Sequence, residues 1–96
     1  MSIFRNFVIN FKSKQDCETY LKRSKEFYPS LKDNGMQQMF VGRATEDSII
    51  MFAVFDNDES AKAIINKTSE WRKTYDFEIT DSIVLDGKLE EHYKYS

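Results

Sequence analysis

Two asparagines, Asn6 and Asn10, stand four residues apart in a segment that otherwise alternates with apolar side chains. A carboxamide beside a bound ring can hydrogen-bond an enolate or phenolate oxygen, the kind of anion that reacts directly with oxygen once it is held in place. The competing reading is a pair of amides satisfied by backbone or water, the normal state of buried polar groups. Trp71 and Tyr75 are also four apart, which puts them on one face of a helix, where they either stack on a ligand or pack a core. Arg5 and Arg43 would bind an acidic ligand, or would guard exposed strand edges against aggregation. His92 is the lone histidine and lies in a charged tail, so it reads as solvated rather than as a general base. Cys17 has no histidine beside it and reads as a small core residue. No His, Cys, Asp or Glu set has metal-ligand spacing and no glycine-rich loop cradles a phosphate; neither a metal nor a cofactor is expected.

The elements that must carry these residues follow from periodicity. Ile3 to Phe11 alternates with period two and is rich in Phe, Ile and Val, which predicts a strand. Its less apolar row holds Asn6 and Asn10, which are expected to face a cavity between two sheets rather than the helices. Ser13 is an N-cap for a helix whose stripe is Cys17, Tyr20, Leu21, Ser24, Phe27, Tyr28 and Leu31, with Pro29 breaking or restarting it near the end. Asp33, Asn34 and Gly35 turn the chain into a second strand, Met36 to Ala44, and Thr45 to Ser48 reverses it as a hairpin. Ile49 to Phe55 is apolar at every position, the mark of a strand buried on both faces. Asn57 caps a second helix with Asp58 and Glu59 in its first turn. Its stripe runs Ala61, Ile64, Ile65, Thr68, Trp71 and Tyr75. Phe77 to Leu85 is the last strand, and Asp86 with Gly87 is read as a turn into the tail.

Helical crossovers kept right-handed arrange this βαββαβ order as a ferredoxin-like α+β domain over residues 1–96. The expected form is a four-stranded antiparallel sheet with the first and third strands central and two helices on one face. Two helices cover one side of the sheet, yet the third strand is apolar on both. Each buried Val, Ile or Phe contributes about 1.5 to 3 kcal/mol, so the bare side calls for a cover. The simplest is the same face of a second copy about a two-fold axis, which predicts a homodimer.

Composition narrows the partners. Of 96 residues, 41% are hydrophobic and 15% aromatic, which argues for a packed core rather than a disordered chain. The net charge of −2, with lysines and arginines interleaved among acids, leaves no basic surface for nucleic acid. The longest apolar run is far short of the roughly 20 residues a membrane span needs. The alternating pattern begins almost at the first residue, so no signal peptide is expected, and a single cysteine suits a reducing compartment. These readings place the protein in the cytoplasm.

The stretch Ile50 to Gly87 resembles the dimeric α+β barrel superfamily and, within it, the antibiotic biosynthesis monooxygenase-like proteins. The likeness rests on an apolar strand ending Ala53, Val54, Phe55, Asp56, then Glu59, Ala61 and Ala63 opening a helix, Glu70 and Trp71 late in it, and Gly87 after the final strand. The resemblance implies a dimeric barrel that binds a small apolar or aromatic ligand, with cofactor-independent monooxygenation as the implied activity. Such proteins place an asparagine of the first strand and a tryptophan of the second helix near the pocket, which Asn6, Asn10 and Trp71 match in element; with Arg43 and Tyr75, taken from the residues themselves, these are the ligand-binding candidates, and Met36, Met39 and Met51 would add adaptable apolar surface. The second helix lacks the histidine that a haem-degrading relative would use. A non-catalytic ligand-sensing or assembly module is the alternative.

Overall fold

The computed structural model describes residues 2–74, 79–93 and 95. Its elements run β1 (Ile3–Phe11), α1 (Lys14–Phe27), a 3-10 turn (Tyr28–Leu31), β2 (Met36–Thr45), β3 (Ser48–Phe55), α2 (Asp58–Arg72) and β4 (Ile79–Lys88). The four strands form one antiparallel sheet in the order β2-β3-β1-β4, so β1 and β3 are central as the crossover argument requires. This is the ferredoxin-like α+β fold.

Local chemistry accounts for the helix boundaries. Ser13 Oγ accepts from the Asp16 backbone N–H at 3.1 Å, and Asn57 Oδ1 accepts from Ser60 N–H at 2.9 Å. Each cap residue is extended, with its side chain meeting one of the donors that the first helical turn leaves unpaired. At the other end of α1, Pro29 opens the 3-10 turn, so the helix tightens there rather than continuing. Gly35 then takes φ +88°, in the left-handed region, to bring the chain into β2. Its carbonyl accepts from Asp56 N–H at 2.8 Å and so ties the start of β2 to the end of β3.

Strand pleating divides the sheet into two faces. Ile9 and Phe11 of β1 and Ile49, Met51, Ala53 and Phe55 of β3 are buried against the helices. One cluster joins the first strands to Cys17, Tyr20 and Trp71, and a second joins Ala53 and Phe55 to Leu31, Ala61 and Ile64. Trp71 stacks on Phe27 at 4.5 Å and meets Tyr20 edge-on at 5.4 Å. Such aromatic pairs contribute about 0.5 to 1.5 kcal/mol each beyond area burial.

The opposite face has no helix. Across it the register sets Phe40, Phe52, Asn6 and Leu85 in one row, and Gly42, Ile50, Val8 and Ile83 in the next. Phe4 stacks on Phe52 at 5.7 Å. Phe40, Ile50, Ile83 and Leu85 are 60%, 43%, 53% and 63% exposed in the single chain. The full burial expected of the third strand therefore holds on the helix side and not on this one.

The last strand differs from its sequence reading. Asp86 and Gly87 are not a turn: they continue β4 to Lys88 and pair with Arg5 and Phe4. Because β1 starts at Ile3, it offers ladder partners that far, and an ion pair between Arg5 and Asp86 reinforces the extension. Gly87 keeps a role there, since a Cβ at this position would lie 2.8 Å from the Phe4 ring. Phe77 and Tyr75 lie outside the described residues.

Candidate functional site

The site is a cleft of about 200 Å³ between the sheet and α2. Its apolar walls include Phe7 of β1, Met36 and Met39 of β2, Ala53 and Phe55 of β3, Ile64 and Ile65 of α2, and Val84 of β4. The polar lining consists of Arg5, Tyr28, Thr68, Ser69 and Arg72. A cavity of about 150 Å³ already holds a benzene ring, so this cleft has room for one substituted ring. An apolar cleft with a few convergent polar groups is the usual form of a small-molecule site.

The polar groups are ordered among themselves. Arg72, the last residue of α2, donates from Nη2 to the Tyr20 hydroxyl at 3.1 Å, and its guanidinium lies 5.6 Å from the Tyr20 ring centroid. The Tyr20 and Tyr28 hydroxyls share a hydrogen bond of 2.6 Å, and the Tyr28 hydroxyl donates to Met51 Sδ at 3.5 Å. Burial pushes the Tyr28 phenol well above its usual range, and the neighbouring Tyr20 raises it further. Tyr28 is therefore a neutral hydrogen-bond donor throughout the physiological range.

The two guanidiniums differ in charge balance. Arg5 makes a two-pronged ion pair with Asp86, so its charge is met within the sheet. Arg72 has no carboxylate partner among the described residues, and its Nε is buried with no hydrogen-bond acceptor there. Among the described residues, one cation in the cleft wall is left without a counter-charge.

The residues singled out from the sequence do not converge on this cleft. Asn6 and Asn10 sit on the helix-free face. The Asn10 amide is occupied, donating to Asp81 Oδ2 at 3.1 Å and accepting from Ser48 Oγ at 2.6 Å. Asn6 Oδ1 is buried and finds no partner among the described residues. Arg43 is exposed on the edge strand, where it donates to the Thr45 and Glu46 carbonyls of the β2–β3 turn and lies 3.7 Å from Glu18. Trp71 is packed in the core rather than along the cleft, and Tyr75 lies outside the described residues. Met36 and Met39 do line the cleft, while Met51 is buried in the core.

Arg72 and Tyr28 were not chosen from the sequence. Arg72 follows Trp71 and reads there as an ordinary last-turn cation. A signal was nonetheless present: Arg72 falls four residues after Thr68, on the edge of the same helical stripe. Among the described residues, no group of three or more His, Cys, Asp or Glu side chains could hold a metal ion. No helix among them is long and apolar enough to cross a membrane.

Comparison with known proteins places this geometry. No protein-family model matches the chain, and no curated protein matches it. Solved structures do. A dimeric ferredoxin-like protein from an uncultured marine organism is 19% identical, with 99% of this chain and 93% of that one covered and a TM-score of 0.73. The ActVA-Orf6 monooxygenase of Streptomyces coelicolor, solved with nanaomycin D, is 6% identical over 99% of this chain and 93% of that one, with a TM-score of 0.75. The haem-degrader MhuD of Mycobacterium tuberculosis, solved with two haems in its active site, is 11% identical over 96% and 99%, with a TM-score of 0.71. At such identities the likeness is one of fold. The fold is the one that dimeric ferredoxin-like and antibiotic biosynthesis monooxygenase-like proteins share, as the sequence resemblance implied.

Proposed function

We propose that this protein is a cytoplasmic, small-molecule-binding homodimer whose cleft between sheet and second helix holds a small apolar or aromatic ligand. The observation that carries the reading is the cleft itself: apolar walls from all four strands and α2, with the Arg72 Nε buried in the wall and without an acceptor among the described residues. A buried donor without an acceptor costs about 1 to 3 kcal/mol, more for a charged group, and a ligand that supplies the acceptor relieves that cost.

The dimer is supported by the helix-free face, where two rows of apolar side chains meet solvent in the single chain. A second copy packed on this face would close a barrel between the two sheets and cover Asn6, whose buried carbonyl would then depend on the partner or on trapped water. The ferredoxin-like protein from the marine organism is dimeric, which supports a dimer for this fold.

The activity proposed for the cleft is cofactor-independent monooxygenation, supported by the likeness in fold to ActVA-Orf6. Thermal stabilisation by a panel of single-ring aromatics, paired with oxygen uptake on a panel of quinols, tests it. The expected result is stabilisation and uptake by the wild-type protein, with both lost in Thr68→Phe, which fills the cleft. Stabilisation without uptake would remove the oxygenase reading and leave ligand binding, as in a sensor. Neither stabilisation nor uptake would remove the reading altogether.

A further inference from the structure

The charge balance around the cleft says more about the ligand than its shape does. Arg5 is neutralised by Asp86, so among the described residues only Arg72 brings a positive charge without a carboxylate partner into the lining. An arginine is ionised at any physiological pH, and it cannot escape desolvation by losing its proton, as a lysine can. Its Nη2 is committed to Tyr20, while Nε is buried and unaccepted among the described residues. A neutral apolar ligand entering the cleft would desolvate this cation further without meeting it.

The tyrosine pair adds a second donor. With Arg72 donating into the Tyr20 hydroxyl, the charge-assisted order of the chain has Tyr20 donating to Tyr28 and Tyr28 donating to the Met51 thioether. A thioether is a weak acceptor that an anionic oxygen readily displaces. Tyr28 and Arg72 both line the cleft and are bridged by the single hydroxyl of Tyr20. Two donors with one net positive charge between them match one carboxylate, which presents two oxygens and one negative charge. An alcohol or amide offers no charge, and a dianion would leave one charge unmet.

We infer that the cleft ligand is a small apolar monocarboxylic acid, of the size of one substituted ring, with its carboxylate against the Arg72 guanidinium and the Tyr28 hydroxyl and its ring among Phe7, Met39 and Phe55. This rests on the proposal that the cleft binds a small molecule, and it names the chemical class. Arg72 is then the residue that sets specificity, and Tyr28 shares the second oxygen.

The test is isothermal titration of the full chain at pH 7.5 with trans-cinnamate and with its uncharged isostere trans-cinnamamide. A charge-assisted hydrogen bond in such a cleft separates the two by about ten- to a hundred-fold in favour of the acid. Arg72→Gln is expected to reduce that preference to about three-fold or less, and Arg43→Gln, on the distant strand edge, to leave it unchanged. Equal binding of acid and amide by the wild-type protein would overturn the inference while leaving the cleft a ligand site. A preference that survives in Arg72→Gln would overturn the role of Arg72. Binding of neither compound would remove the inference and count against the cleft as a single-ring site. The wild-type comparison stands alone should Arg72→Gln not fold.

Discussion

Replacing Ile50 with glutamate is expected to convert the proposed homodimer into a folded monomer. Ile50 lies on the central strand β3, paired with Val8, and faces away from both helices. In the single chain it is 43% exposed, so the substituted side chain reaches water there and the fold survives. In the dimer the same position is covered twice, once per copy. Burying the exposed part of an isoleucine contributes about 0.6 to 1.3 kcal/mol, roughly 1 to 3 kcal/mol for the pair. Covering two glutamates instead desolvates two carboxylates, at an effective cost of several kcal/mol each. The net change is at least about 5 kcal/mol, which raises the dimer Kd by three decades or more. Sedimentation equilibrium across nanomolar to high micromolar protein reads the constant, and far-ultraviolet circular dichroism checks that the monomer is folded. A dimer of unchanged affinity in Ile50→Glu would show that the copies meet through another surface. A wild-type protein that stays monomeric at micromolar concentration would refute the argument from the uncovered face.

Other expectations concern the core and the cleft. Trp71→Ala removes the stacking on Phe27 and the edge contact with Tyr20, and is expected to cost about 3 to 5 kcal/mol in urea unfolding. A loss under about 1 kcal/mol would mean that Trp71 does not hold α2 to α1. Gly35→Ala forces a left-handed residue and drives a Cβ into overlap with the Ser60 side chain. It is expected to lower stability by about 2 kcal/mol or more, from the backbone term and the overlap together, read as a fall in Tm. The Tyr28 phenol is raised by burial in the folded state, so its contribution is present below the unfolded value near 10 and is lost as pH rises toward the folded value. Stability should thus decline by about 1.4 kcal/mol per pH unit above pH 10 from this group, and Tyr28→Phe should remove that part of the alkaline slope in denaturant titrations.

Much of the fold was legible because it rests on local rules. Ser13 and Asn57 cap their helices where the sequence puts an acceptor three residues before an unpaired N–H. The unbroken apolar run of β3 announced a central strand, and the odd row of β1 announced the face toward the helices. The end of β4 was misread because Asp86 and Gly87 have the composition of a turn, and composition carries no record of the partner strand. Their extended form depends on Ile3 and Arg5, more than eighty residues away in sequence, offering a ladder and a guanidinium.

The cleft depends on distance even more strongly. A strand's alternation told which residues share a side with Asn6, and that side proved to be the one without helices. Whether space remains between sheet and helix is set by how far α2 stands off the sheet, a packing outcome of many side chains at once. Arg72 carries the same charge in the sequence as any other arginine. What distinguishes it is that none of the described carboxylates pairs with it and that its Nε is buried, and both follow from which segments the folded chain brings beside it. Periodicity and capping chemistry were enough to define the strands, helices and two apolar sides of the sheet; the placing of an arginine in the wall of an apolar cleft required the assembled fold, because burial and pairing are properties of neighbours that sequence order does not contain.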